Sequence, residues 1–208
     1  MTLDEILHAS PVMPVIVVKR LADAVPLARA LVAGGIRVLE VTLRTPVALD
    51  AIRLMREAVP EAIVGAGTAT RPSEYAAAVA AGASFVISPG LSAELAACAW
   101  EATVPLLPGV MTPSEVMRAR DAGFSRMKLF PAREAGGIGF LKALSGPFPD
   151  VVFCPTGGIT PDSAPDYLAL ANVACIGGSW LAPEALLAAG NWSGIEELAR
   201  QAAALRSR

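Results

Sequence analysis

Residues 38–44 read Val38-Leu39-Glu40-Val41-Thr42-Leu43-Arg44. The β-branched and aliphatic residues predict a strand. Side chains on a strand alternate between faces, so Leu39, Val41 and Leu43 share one side and Glu40, Thr42 and Arg44 share the other. One face is fit for a core. The other carries a carboxylate and a guanidinium in the middle of apolar sequence. Where such a strand can go depends on what surrounds it.

What surrounds it is a repeated unit. Short apolar runs fall at 14–18, 38–43, 63–67, 85–89, 106–110, 126–131, 151–156 and 174–178, and their starts are 20 to 25 residues apart. Ala-rich amphipathic segments lie between them, several ending at glycine (Gly34-Gly35, Gly82, Gly123), as helix C-termini do. Strand–helix alternation implies parallel pairing, with each helix as a crossover. Eight such units in 208 residues predict an α/β fold, a small (β/α)8 TIM barrel with a short helix over the first residues. No Pro/Gly/Ser linker interrupts the pattern, so 1–208 reads as one domain. No GxGxxG follows the first strand, against a dinucleotide-binding open sheet. In a barrel, Leu39 and Val41 face the helices. Glu40, Thr42 and Arg44 then face the axis near the C-terminal end of the strand, where such barrels build active sites.

Composition narrows the chemistry. Apolar residues make up 54% of the chain and charged residues 17%, which supplies a large core and no case for disorder. A net charge of −2 gives no footprint for nucleic acid. No apolar stretch is long and uninterrupted enough to span a membrane. The first ten residues are acidic rather than basic, unlike a signal peptide, so a cytoplasmic protein is expected. Cys98, Cys154 and Cys175 lack metal or redox spacing and read as small buried thiols. His8 is the single histidine, so a His-based metal site or a Ser-His-Asp triad lacks its parts, and no metal or other cofactor is expected.

The sixth strand repeats the anomaly of the second: Arg126-Met127-Lys128-Leu129-Phe130-Pro131. Only three lysines stand against fourteen arginines in the chain, yet one lies in mid-strand. An unpaired buried ammonium is costly. From the residues alone Lys128 is a catalytic amine, a snorkelling edge residue, or half of a structural ion pair with Glu40. The catalytic reading has a chemical reason behind it. Unlike arginine, a buried lysine can present a neutral amine that attacks a ketone and forms a Schiff base, an electron sink. That chemistry needs a proton shuttle, and Glu40 would project into the same barrel mouth. Arg44 suits a bidentate grip on a carboxylate, or is a surface loop arginine. Paired glycines close strands 7 and 8 (Thr156-Gly157-Gly158 and Gly177-Gly178-Ser179), in the two loops where barrels frequently hold a phosphate.

Taken together, VLEVTLRTP, VGAGT, ISPG, MKLFPA, FCPTGGI and CIGGSWL closely resemble the 2-dehydro-3-deoxy-phosphogluconate (KDPG) and 4-hydroxy-2-oxoglutarate (KHG) aldolases. The motifs run in order from Pro14 to Leu181. The resemblance implies a metal-independent class I aldolase of the Entner–Doudoroff pathway, usually a homotrimer. It implies Lys128 as the Schiff-base former and Glu40 as the acid/base. It places Arg44 and Thr68 on the pyruvyl carboxylate, with Pro89 and Phe130 shaping the pyruvate pocket. It puts Thr156 by the C4 hydroxyl, where stereochemistry is set, and Gly157, Gly158, Gly178 and Ser179 around the phosphate. Its implied partner is a phosphorylated keto-deoxy sugar acid. A phosphogalactonate-specific aldolase and a phosphate-binding barrel enzyme of another type remain the alternatives.

Overall fold

A computed structural model describes residues 1–206; the last two positions of the expected domain, 207 and 208, lie outside the described residues. The chain alternates strands and helices as expected. The strands are β1 (Val12–Ile16), β2 (Val38–Thr42), β3 (Ile63–Gly67), β4 (Val86–Ile87), β5 (Leu106–Leu107), β6 (Gly109–Val110), β7 (Arg126–Leu129), β8 (Val152–Pro155) and β9 (Ile176–Gly178). Every ladder between them is parallel.

The fold is therefore α/β with a curled parallel sheet, but its hydrogen bonding differs from an even eight-stranded ladder. Six strands pair in the order β5-β4-β3-β2-β1-β9 and three in the order β6-β7-β8. The expected fifth strand is split at Pro108, whose ring nitrogen has no hydrogen to give a ladder. Its first half pairs with β4 and its second half with β7. The Lys128 amide donates to the Pro108 carbonyl at 2.8 Å, so the proline still accepts across the break. β8 and β9 form no ladder; isolated bridges link their segments, Phe153 to Val173 just before β9 and Thr156 just after β8 to Gly177. The first strand also starts and ends two residues earlier than its apolar run, which leaves Val17 and Val18 in the loop that follows.

The alternation read from residues 38–44 holds in space. Leu39 and Val41 on β2, like Met127 and Leu129 on β7 and Phe153 on β8, belong to the larger cluster between sheet and helices. Val38 joins Met13, Ile63, Phe85, Leu107 and Cys154 in a second cluster on the inner face. The N-terminal helix, Leu3–His8, plugs that inner cluster with Ile6 and Leu7. A capping box between Thr2 and Glu5 starts the helix, and Arg126 grips Asp4 at 2.7 Å. One end of the sheet interior is thus sealed by hydrocarbon. The polar residues sit toward the C-terminal ends of the strands.

The helices close the outside of the sheet. Gly82 and Gly123 follow the helices Pro72–Ala80 and Pro113–Asp121 at φ of 89° and 83°, the left-handed turn that glycine accepts without strain. Tyr75, on the first of these, is 1% exposed and its hydroxyl donates to the Val104 carbonyl. Burial pushes the phenol up to about 12 from an ordinary 10.0, with Cys98 adding to the rise. A raised folded-state value means that the folded chain keeps a proton the unfolded chain has lost. Stability from this group is therefore complete below pH 10 and disappears as pH rises toward 12. Urea midpoints measured between pH 9 and 12 are expected to decline, and Tyr75→Phe to flatten that decline. Superimposable curves for the two proteins would remove Tyr75 as a source.

Candidate active site

Glu40 lies on β2 and Lys128 on β7, 88 residues apart in sequence. Both turn inward, because their neighbours Leu39, Val41, Met127 and Leu129 are claimed by the outer cluster. They meet: Lys128 Nζ donates to Glu40 Oε1 at 3.0 Å and to Oε2 at 3.4 Å. The side chains are 7% and 1% exposed. Lys128 Nζ also stands 5.4 Å from the centroid of the Phe130 ring, within cation–π range. The expected encounter of the two long side chains is thus present. Lys128 is neither an edge residue, since β7 is paired on both sides, nor a snorkelling one, since its Nζ contacts a carboxylate that is 1% exposed.

The carboxylate is held in place by shape as well as by charge. Gly67 closes the neighbouring β3, in register with Thr42, and lies beside the Glu40 side chain. A Cβ built on Gly67 would lie 2.2 Å from Glu40 Oε1 and 2.7 Å from its Cγ. Glycine there is a requirement of the Glu40 side chain. Gly67→Ala would push the carboxylate off Lys128, and a displacement of about 1 Å in a reacting group costs on the order of 10²-fold in rate. The expected result is a loss of turnover of that size with an unchanged far-UV spectrum. Wild-type turnover in Gly67→Ala would mean that the Glu40 position is not critical.

Arg44 is exposed, two residues past the end of β2. Its Nε donates to Thr42 Oγ1 at 3.3 Å, while the Thr42 hydroxyl donates to the Ile16 carbonyl at 2.8 Å. Thr42 therefore anchors the base of Arg44 to β1. Sequence reading put Thr42 on the inward face without giving it this part. Thr68, immediately after β3, has φ of +66°. For a β-branched residue that is a strained conformation of about 1–3 kcal/mol, of the kind held at ligand sites. The Ala69 amide donates to the Ile87 carbonyl at 3.1 Å and fixes the turn. Pro89 is half-buried past β4, and its backbone lies against Gly109, where a Cβ would come within 2.2 Å. Phe130 is 36% exposed, an apolar ring at the rim above Lys128.

Thr156, at the end of β8, is buried, and its Oγ1 would be 2.2 Å from a Cβ on Gly177. The Thr156 hydroxyl thus lies over the backbone of β9. Gly157 and Gly158 follow with φ of 104° and 72°. Hydrogen bonds from Ala132 N to Thr156 O and from Arg133 N to Gly157 O tie this turn to the segment after Phe130. Gly178 is buried under the Trp180 ring, and Ser179 is exposed. Ser179 and Arg44 line one cavity of about 430 Å³, together with Lys19, Arg20, Asp23 and Glu184. Those last four were not singled out from sequence. The only signal was the rarity of lysine, and Lys19-Arg20 reads as the charged stop of an apolar run. Among the described residues, no three His, Cys, Asp or Glu side chains converge as a metal site, and no helix is long and apolar enough to cross a membrane.

A family model described as KDPG and KHG aldolase matches residues 3–198. The KHG/KDPG aldolase of Escherichia coli (strain K12) is 56% identical over 199 residues, 96% of this chain and 93% of the relative. The crystal structure of KDPG aldolase from Legionella pneumophila, with pyruvate captured at low pH as a covalent carbinolamine intermediate, superposes with a TM-score of 0.96. It is 51% identical and covers 98% of each chain. The Zymomonas mobilis ZM4 2-keto-3-deoxy-6-phosphogluconate aldolase structure with 3-phosphoglycerate gives 0.93 and 48% identity, over 98% of this chain and 95% of that one.

Proposed function

The chain belongs to the KDPG and KHG aldolase family, and we propose that Lys128 and Glu40 carry out its reaction. The protein is a lyase, a class I aldolase that cleaves 2-dehydro-3-deoxy-6-phosphogluconate to pyruvate and glyceraldehyde 3-phosphate. It also acts on 4-hydroxy-2-oxoglutarate, which yields pyruvate and glyoxylate. The observation that carries the residue assignment is the buried contact of 3.0 Å between an amine and a carboxylate in a sheet interior sealed at its other end.

The chemistry follows from that pair. The substrate C2 ketone adds to the Lys128 amine, and Glu40 shuttles the proton that lets water leave the carbinolamine. The iminium nitrogen then draws electrons. Glu40 takes the C4 hydroxyl proton, the C3–C4 bond breaks, and its electron pair moves to C3 and into the iminium as an enamine. The aldehyde departs with its phosphate. Protonation at C3 and addition of water release pyruvate and restore the amine. Arg44 and Thr68 hold the pyruvyl carboxylate, Pro89 and Phe130 bound the pyruvate, Thr156 faces the C4 hydroxyl, and Gly157, Gly158, Gly178 and Ser179 receive the phosphate. No metal takes part, since the iminium is the electrophile. The two ladders, joined through residues 106–110 and by the β8–β9 bridges, support one closed (β/α)8 barrel as a single domain. A homotrimer in the cytoplasm is the setting we assign from the family resemblance.

The test is borohydride reduction in the presence of pyruvate, read by peptide mass spectrometry, beside a coupled assay of KDPG cleavage. A reduced pyruvyl adduct on the Lys128 peptide is expected. Cleavage without an adduct, or an adduct on Lys19 or Lys142, would overturn the assignment.

A further inference from the structure

The cavity that contains Arg44 and Ser179 continues to a wall the reaction above leaves unused. Three cations line it: Lys19, Arg20 and Arg44. Two of them are committed. Arg20 is held by both oxygens of Asp23, at 2.8 and 2.9 Å, and donates to the Leu187 carbonyl at 3.2 Å. Arg44 is anchored on Thr42 and faces the pyruvyl carboxylate in the reading above. Lys19 is different. Its Nζ pairs with Glu184 Oε1 at 2.5 Å, and the two side chains are 62% and 77% exposed. The pair bridges the loop after β1 to the helix Glu184–Ala188, which follows β9 and Ser179. Exposed pairs of this kind contribute little to stability and exchange partners readily.

We propose that Lys19 is a specificity-determining residue of the aldolase: it takes the phosphate at the far end of the substrate, and Glu184 is the anion it releases to do so. The inference rests on the aldolase reading. A phosphate carries up to two charges where a carboxylate carries one, so it outcompetes Glu184 for the ammonium at close range. Lysine suits the exchange, because a flexible stem with three donors can swing from a resting partner to an arriving one. Glu184 holds Lys19 at the cavity wall until then, and Lys19 in turn keeps the Glu184 carboxyl below its ordinary value. The backbone groups of Gly157, Gly158 and Gly178 fix where the phosphate sits. Lys19 supplies net charge, which sets how strongly a phosphorylated substrate is preferred over an uncharged one.

The experiment runs the reaction toward synthesis, with pyruvate and either D-glyceraldehyde 3-phosphate or D-glyceraldehyde. The variants are Lys19→Met, Lys19→Arg and Glu184→Gln. In Lys19→Met the ratio of kcat/KM for the phosphorylated over the plain aldehyde is expected to fall about tenfold, through KM. Lys19→Arg restores most of the ratio. Glu184→Gln lowers KM for the phosphorylated aldehyde about two- to threefold, by removing the competitor. Salt raises that KM more steeply in the wild type than in Lys19→Met. An unchanged ratio in Lys19→Met, or a parallel loss with both aldehydes, overturns the inference while pyruvate trapping on the wild type leaves the aldolase reading intact. A wild type that neither traps pyruvate nor makes either product removes the aldolase reading and this inference with it.

Discussion

Lys128→Ala is expected to eliminate turnover, by a factor on the order of 10⁴ or more, and to abolish reductive trapping of pyruvate. The size follows from what is lost. Without the amine there is no covalent bond to the ketone and no iminium to receive the C3–C4 electrons, so the path itself is gone. The same substitution also has a structural cost. Glu40 is 1% exposed and loses its cation, and an uncompensated buried charge typically destabilises by about 3–5 kcal/mol. A drop in activity could therefore be mistaken for a drop in folded protein. Lys128→Arg separates the two. It returns a positive charge to Glu40 and with it much of the stability, but its guanidinium does not form a Schiff base. Low activity, no adduct and a recovered melting temperature in Lys128→Arg would assign the lysine to covalent chemistry. Turnover within tenfold of wild type in either variant would return Lys128 to the role of a structural ion-pair partner.

That experiment addresses a residue which the sequence already marked, and the reason it was legible is physical. A two-residue period sends Leu39, Val41, Met127 and Leu129 outward, so a Glu or Lys between them has only the interior to enter. The cost of burying a charge makes such positions conspicuous without any knowledge of the partner. The α/β class and its parallel pairing were legible for the same kind of reason, since eight apolar runs separated by helical segments leave few topologies. What was not legible depends on contacts between distant residues. The division of the fifth strand comes from Pro108, visible in sequence, but which neighbour each half would pair with is a property of the assembled sheet. The need for glycine at Gly67 arises from Glu40 across the ladder. Lys19 looked like the end of an apolar run because its partner, Glu184, lies 165 residues later in a loop and short helix that have no periodicity to read. Thr68 could be placed by the family motif, yet its left-handed backbone is known only from the fold. Patterns local in sequence reveal which groups enter the interior; the mouth of the site is built from loops, where position is set by tertiary contacts alone.

Glu40→Gln should show the second-largest effect and a different signature. Glutamine keeps nearly the same shape and one oxygen that can accept from Lys128, so the Gly67 contact and the site geometry survive. What it cannot do is take and return a proton. General acid–base groups contribute about 10²–10⁴-fold, and kcat for cleavage is expected to fall by that amount. Because the amine remains, pyruvate should still be trapped on Lys128 by borohydride, only more slowly, whereas Lys128→Ala traps nothing. The double variant Lys128→Met with Glu40→Gln then tests whether the pair works as a unit. Groups that act in one step are not additive, so the double variant should be no slower than Lys128→Met alone. It should also be more stable than either single variant, since removing both charges leaves no orphan in the interior. An additive loss of activity would mean that Glu40 acts on a step that does not involve Lys128. Full activity in Glu40→Gln would pass the proton transfers to another group, and the buried carboxylate would then be a counter-ion for the lysine.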